Sequence, residues 1–313
     1  LILLFKCLYL LAVTKYNQPT EERNKMKNIN VFAAQLPSIA VLEESLSNAE
    51  GLLFTPLTDS QWSKLGLNSE QQLVNLENGY RIDFTFAGKD IPKPQIKEEL
   101  LKLIADMEYE PSKEEIEELN ESVIADFCAR MISKTAQFSA YYHEKRETLI
   151  FDCKESLAQG GLSLLIKALG SVETKTLHCS NISNSLTTNM LEQLNAGADL
   201  VSFAGFETGD LLVLTNKEKD VARFKGDYPT EQVQELLFDG YEVKQLNLSK
   251  DGIAFTINKE FKISGVKTSF NLDAFDFDDE EELKIYLQTI ELEIVTSHCE
   301  ELRSFFDKQN DEA

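Results

Sequence analysis

Asp152 and Lys154 in "LIFDCK" lie two residues apart, and on a strand that spacing turns both side chains to one side. An acid and a lysine so placed can hold Mg²⁺ and orient a water for attack on a phosphodiester, provided a second acid converges on the metal. Asp126, Glu144 and Glu147 are the candidates by proximity. The plainer reading is the solvated end of a strand, because an acid-x-Lys triplet recurs by chance. A metal-dependent nuclease therefore stands as one alternative to the leading reading, and a protein-interaction module that binds a partner through its acidic faces and no DNA stands as the other.

Other catalytic machinery is sparse. The histidines are His143, His178 and His298, and no G-x-S-x-G elbow accompanies them. In His178-Cys179 and His298-Cys299 adjacent side chains diverge on any regular element, so neither pair has metal-ligand spacing. Neither a Walker A nor a G-x-G-x-x-G loop is present to cradle phosphates. The five cysteines, Cys7, Cys128, Cys153, Cys179 and Cys299, are scattered and odd in number, which fits reduced thiols in a cytosol.

Cations offer a different chemistry. Arg130 and Lys134, four apart, share one face of a helix predicted over 112–137, and Lys97 and Lys102 lie on its partner helix. Arg223 and Lys225 follow in "ARFKGDY", then Lys244, Lys259, Lys262 and Lys267 in a β-rich region. Gathered on one surface, such groups neutralise phosphates whatever the base sequence. Singly each reads as a solvated charge, and Asp126 to Arg130 reads as an i,i+4 ion pair.

The net charge of -22 argues against such a surface only if it is evenly spread. It is not. Residues 106–121 hold eight acids and one Lys, and residues 273–313 hold fourteen acids and three bases. The rest of the chain is close to neutral, so a basic surface can coexist with acidic ones.

The elements that must position these residues follow from periodicity. With 313 residues, 42% of them hydrophobic, the chain predicts two or three globular domains or one elongated assembly of subdomains. The leading "LILLFKCLYLLAV" is too short to span a bilayer, and Lys6 and the following "TKYNQ" argue against a signal peptide. It reads as a buried strand that starts the fold. A helix is predicted at 38–48, a short strand at 51–57, and a hairpin with a type I′ turn at Asn78-Gly79.

An αα-hairpin follows. Its first helix carries Ile96, Leu100, Leu103 and Ile104, and its second opens on a capping box from Ser112 to Glu115. The second helix is predicted to bury Ile116, Leu119, Val123, Phe127 and Met131. Beyond it come a hairpin-like stretch, the helix "SLAQGGLSLLIKALG", a helix at 185–195 and extended chain at 198–215. A helix capped by Thr230, three β-rich runs turning first at Asp251-Gly252, and a long helix at 280–307 with Asp278 as N-cap complete the chain. The class is α+β, with mixed, mainly antiparallel sheets and a projecting helical hairpin.

The order of segments resembles the RdgC family of bacterial recombination-associated proteins over nearly the whole chain. The landmarks are "FKCLYL", "LLFTPL" with "WSKLG", "NGYRIDFTFAGKDIPKPQIKEEL", "LIFDCKESLAQGGLSLLIKALGS", and "LNLSKDGIAFTINKEFKISGVKTSF" before the terminal helix. The resemblance implies an elongated curved subunit forming a ring-shaped homodimer. Its basic inner surface would encircle double-stranded DNA without reading sequence and restrain recombination by RecA. It implies no catalysis, no cofactor and a cytoplasmic, nucleoid-associated location. It divides the chain into a centre (1–90 and 138–177), a tip (91–137) and a base (178–313). Lys97, Arg130, Lys134, Lys167, Arg223 and Lys225 match family positions that carry Lys or Arg, and Lys244 and Lys262 lie nearby; these are the expected phosphate contacts. Ile132 stands where the family has an aromatic residue at the tip contact, so the dimer interface there would be aliphatic and without a ring.

Overall fold

The computed structural model describes residues 26, 28–68, 70, 73–90, 92–176, 182–198, 201–226, 229–268 and 279–311. The predicted opening strand, His178, Cys179 and the predicted cap Asp278 lie outside them. Within the described residues the fold begins with β1 at Asn28–Gln35, a segment for which the sequence reading proposed no strand.

Two half-sheets join into one sheet. The first comprises β1, β2 (Ser63–Leu67), β3 (Leu73–Leu76), β4 (Gly79–Gly88), β5 (Lys134–His143), β6 (Thr148–Asp152) and β7 (Glu173–Thr176). The second comprises β8 (Ser202–Phe203), β9 (Phe206–Thr215), β10 (Val221–Lys225), β11 (Glu242–Lys250), β12 (Ile253–Asn258) and β13 (Ile263–Thr268). The main path runs β10-β9-β11-β12-β13-β1-β6-β5-β4-β2, and its strand pairs are antiparallel. The predicted class, α+β with mainly antiparallel sheet, is the observed one.

Helices clothe this sheet differently on its two faces. α1 (Ile39–Ser47) and α4 (Glu155–Leu169) pack on the first half-sheet against Phe32, Tyr80, Phe84, Phe138 and Phe151. Phe84 stacks on Phe138 with centroids 5.1 Å apart, and Phe32 meets Phe151 edge-on at 5.8 Å. Such pairs add about 0.5–1.5 kcal/mol each beyond their buried area. The opposite face is covered by α5 (Ile182–Asn195), α6 (Thr230–Phe238) and α7 (Glu280–Asp311). α7 crosses from one half-sheet to the other. The remaining pair, α2 (Lys93–Ala105) and α3 (Lys113–Arg130), forms the predicted αα-hairpin, with the capping box at Ser112 and Glu115 in place.

Several local expectations fail for identifiable reasons. α3 ends at Arg130, and the chain turns extended at Met131 (ψ 141°) because residues 134–137 complete a ten-pair ladder with β4. Tertiary strand pairing overrides the helical pattern there. Arg130 and Lys134 therefore do not share a helix face. Val123 is buried as predicted, whereas Ile116, Leu119, Phe127 and Met131 are half-buried. Residues 51–57 form the end of a 3₁₀ turn and one bridge, Leu53 to Leu67, instead of a strand.

The Asn78-Gly79 hairpin exists, but its two-residue loop is Glu77-Asn78, with Leu76 paired to Gly79, and none of the three residues from 77 to 79 has positive φ. Gly79 is required for close approach instead: a Cβ there would sit 1.8 Å from the Tyr142 carbonyl oxygen. The positive-φ turn is realised at Asp251-Gly252, at φ 50° and 76°. Thr230 is the first residue of α6 rather than its cap, a position held by Pro229. Asp279 receives the Glu281 N–H at 2.7 Å and so caps α7.

Candidate nucleic-acid interface

Directly opposed residues of an antiparallel pair point to the same face, so the registers decide which side chains converge. In the second half-sheet Leu212, Leu246, Ile257 and Ile263 line up across β9, β11, β12 and β13 and point into the core beneath α7. Their neighbours point the other way. Arg223 opposes Val213, which opposes Gln245, which opposes Asn258; Lys225 opposes Leu211; Lys267 opposes Ala254, which opposes Ser249. Asn247, Thr256 and Ser264 continue the same face. The alternating burial of β10 and β12 marks it as the solvent side, and among the described residues no helix packs on it. The result is an open sheet face of mixed polar and apolar side chains, Leu211, Val213, Val221 and Ala254 among the latter, carrying exposed Arg223, Lys225 and Lys267, with Glu207 and Glu242 as acids on it.

Lys244 adjoins this face from the β-bulge between Val243 and Gln245, and is exposed. Bulges re-aim side chains, which explains why strict alternation from the sequence does not place it. Lys267 belongs to the face as firmly as Arg223 does. The sequence shows it only as one of several lysines; its register against β12 is what assigns it.

The other predicted cations sit elsewhere. Lys262 lies just before β13 and pairs with Glu155 at 3.0 Å and Glu260 at 2.8 Å, at the N-terminus of α4. Lys167 is exposed in the last turn of the same helix, about 18 Å further along its axis. Lys97 is exposed on α2 and Arg130 is exposed at the end of α3. Lys134 opens β5 with its ammonium 2.5 Å from Asp90, which holds its pKa above the ordinary lysine value. The structure thus brings Arg223 and Lys225 onto one surface with Lys244 adjoining it, and distributes Lys97, Arg130, Lys134, Lys167 and Lys262 over the helical hairpin, the start of β5, α4 and the turn before β13. Ile132, between α3 and β5, is 90% exposed.

Acidic charge concentrates on the opposite face. α7 lays Glu293 against His143 (2.7 Å) and Arg146 (2.8 Å), Glu300 against Arg146, and Glu301 against Lys250 (2.5 Å). Partial burial pushes the Glu293 carboxyl up, but the hydrogen bonds and charges of Arg146 and His143 together outweigh it and hold the carboxyl below the usual range. Its first turn, Glu280 to Glu282, places further acid at the positive end of the helix. One sheet therefore separates an acidic helix from a basic, open surface.

The nuclease residues do not converge. Asp152 Oδ1 accepts the Asn28 N–H at 3.0 Å, and β6 ends there, so Lys154 is exposed at the N-cap of α4 instead of beside it on a strand. Glu147 stands at the far end of β6, roughly 16 Å away at strand spacing, with Glu144 in the adjoining 3₁₀ turn and Asp126 on α3. Among the described residues no group of three His, Cys, Asp or Glu is placed to share a metal ion. Burial, with the neighbouring Asp152 charge, pushes the Cys153 thiol up to about 12, which leaves it a poor nucleophile. Cys128 and Cys153 are free thiols, and both are buried, as is Cys299. No helix among the described residues is long and apolar enough to cross a membrane.

Fold and site together define an α+β protein with one large antiparallel sheet, an open sheet face bearing Arg223, Lys225 and Lys267, and a helical hairpin. The family described as "Putative exonuclease, RdgC" matches residues 26–307, and the chain belongs to the RdgC family. A relative named "Recombination-associated protein RdgC", from Psychromonas ingrahamii, is 23% identical over 253 residues, covering 77% of this chain and 83% of that protein.

Proposed function

We propose that this protein binds double-stranded DNA without sequence preference through the open face of the second half-sheet, and that it acts in homologous recombination by restraining access of the RecA recombinase. The observation that carries this reading is the gathering of Arg223, Lys225 and Lys267 on an uncovered sheet face, with the acidic α7 on the other side. Three exposed cations supply phosphate contacts and no base readout. The hydroxyls and amides around them, Asn247, Thr256 and Ser264 among them, offer further hydrogen bonds to phosphate and sugar oxygens. The name of the Psychromonas relative supports the recombination context.

In this reading the chain works as a homodimer whose two copies close a ring around the duplex. Two isologous contacts are needed for closure, and exposed Ile132 at the helical hairpin is the candidate for one. Repulsion by the acidic surfaces would direct a duplex to the open face. The protein needs no cofactor for this work and resides with the nucleoid. Retention on covalently closed circular duplex that outlasts retention on linear duplex of equal length supports encirclement; equal retention removes it.

A nuclease is the second reading, favoured by the wording of the family description. Its geometry is the weaker one, because Asp152, Glu147 and Asp126 stand on separate parts of the fold. Mg²⁺-dependent cleavage abolished in Asp152→Ala would establish it.

A further inference from the structure

We infer that Trp62, with Lys64 and Lys89, forms a separate site for an unpaired nucleotide, the indole stacking on the base and the two ammonium groups meeting the flanking phosphates. Trp62 is the one tryptophan of the chain and is 52% exposed, although burial of so large a ring is ordinarily favourable. It stands immediately before β2, at the opposite end of the sheet path from β10 and so away from Arg223 and Lys225. Its backbone is firmly held. The Lys89 N–H donates to the Trp62 carbonyl at 2.8 Å, which carries the β2–β4 ladder one step past Ser63↔Gly88. The preceding turn is closed by the Gln61 N–H on the Thr58 carbonyl and by the Thr58 N–H on Gln61 Oε1, each at 3.2 Å. An aromatic ring mounted on such a turn loses little freedom on binding.

The lysines supply an independent observation. The Lys89 ammonium donates to the Thr58 and Asp59 carbonyl oxygens at 3.2 and 3.1 Å, and that of Lys64 donates to the Thr55 hydroxyl. These acceptors are neutral. Among the described residues neither ammonium pairs with a carboxylate, whereas Lys102, Lys134, Lys250 and Lys262 each do. The acids nearest in sequence are Asp59, which meets Lys89 through its carbonyl, and Asp90, whose carboxylate is held by Lys134. In a chain of net charge -22, two positioned cations without acid partners beside an exposed indole select a ligand that is both anionic and flat. An unpaired nucleotide has that chemistry: every base has a face to stack, and its phosphates attract lysines whatever the base. In a duplex both faces of a base are taken by its neighbours, so a blunt duplex does not fit. The site rests on the reading of this protein as a DNA binder, and differs from the open face in what it takes.

Because the chain has a single tryptophan, the indole emission of the full protein reports this site alone. A labelled oligothymidylate of about 16 nucleotides and a blunt duplex of equal length are titrated at low salt, with label anisotropy counting bound DNA and indole emission read in the same sample. The single strand is expected to lower the emission about twofold at saturation, and the duplex to bind without changing it. Trp62→Ala, at an exposed position, should weaken single-strand binding about tenfold and leave duplex affinity as it was. Lys64→Gln combined with Lys89→Gln should lower the salt slope of single-strand binding by about 1. A single strand that binds without dimming the indole, equal dimming by the blunt duplex, or undiminished single-strand binding by Trp62→Ala overturns the site and leaves the open-face reading standing. No anisotropy change with either DNA would instead remove DNA binding itself, and this site with it.

Discussion

The Arg81 guanidinium donates to Gln288 Oε1 at 2.6 Å across 207 residues of chain, while its other nitrogens hold Asp83 at 2.8–3.2 Å. Asp83 in turn accepts the Ser139 hydroxyl at 2.6 Å. This buried network ties β4 and β5 to α7. Replacing Gln288 by Leu removes one acceptor from a buried cation and is expected to cost about 1–3 kcal/mol. Asp83→Asn removes the compensating charge and should cost more, about 3–5 kcal/mol. Denaturant titration of the two variants measures both; equal and negligible costs would mean that the network does not hold α7 in place.

His298 predicts a pH dependence. Its ring is buried, edge-on to Phe206 at 4.8 Å, and 3.6 Å from Asp251. Burial lowers its pKa below the ordinary imidazole value, although Glu301 and Asp251 oppose the shift. As pH falls through about 6.5 the unfolded chain takes up the proton first, so stability declines in that window and is fully present above it. Glu293, with its lowered pKa, contributes a further loss only at more acidic pH, below the usual carboxylate value. His298→Phe should flatten the slope between pH 7 and pH 5.5, roughly the imidazole window, as read from melting temperature. An unchanged slope would place the titration elsewhere.

Ile132 separates subunit folding from assembly. Its side chain is exposed, so Ile132→Asp should alter subunit stability by less than about 0.5 kcal/mol. Sedimentation velocity should nevertheless show weaker self-association. Undiminished association would remove the helical hairpin from the dimer contact.

Asp152→Asn distinguishes a structural acid from a catalytic one. Weakening its bond to the Asn28 N–H should cost about 1 kcal/mol, with duplex affinity unchanged and DNA intact in Mg²⁺ for both proteins. Mg²⁺-dependent cleavage by the unaltered chain that this variant loses would replace the binding account with the nuclease one.

The fold was legible where local signals and tertiary demands agree. The capping box at Ser112 and Glu115, the Asp251-Gly252 turn and the helices at 39–47, 155–169 and 280–311 rest on capping, turn chemistry and a 3.6-residue period. It was not legible where pairing partners lie far along the chain. Nothing near Lys134 announces that β4 will claim it as a strand, so the helical reading carried past Arg130 and joined two residues that the fold separates.

The candidate site shows the same limit. Arg223 and Lys225 share a face by alternation alone, which the sequence displays. Lys267 joins them through the β12–β13 register, and Lys244 adjoins through a bulge. Such placements come from long-range ladders and not from spacing. The acidic run near residue 280 reads as a helix start, yet only the packed structure shows that α7 holds its later acids against Arg146 and Lys250, away from the open face.

The most direct test of the central claim is a salt titration of duplex affinity for the unaltered protein and for the triple variant Arg223→Ala, Lys225→Ala and Lys267→Ala. Binding should weaken steeply with salt for several unrelated sequences alike, and the variant should lower the slope of log affinity against log salt by about 2–3. Absence of binding at low salt, or a slope and affinity that the triple variant leaves unchanged, would contradict it.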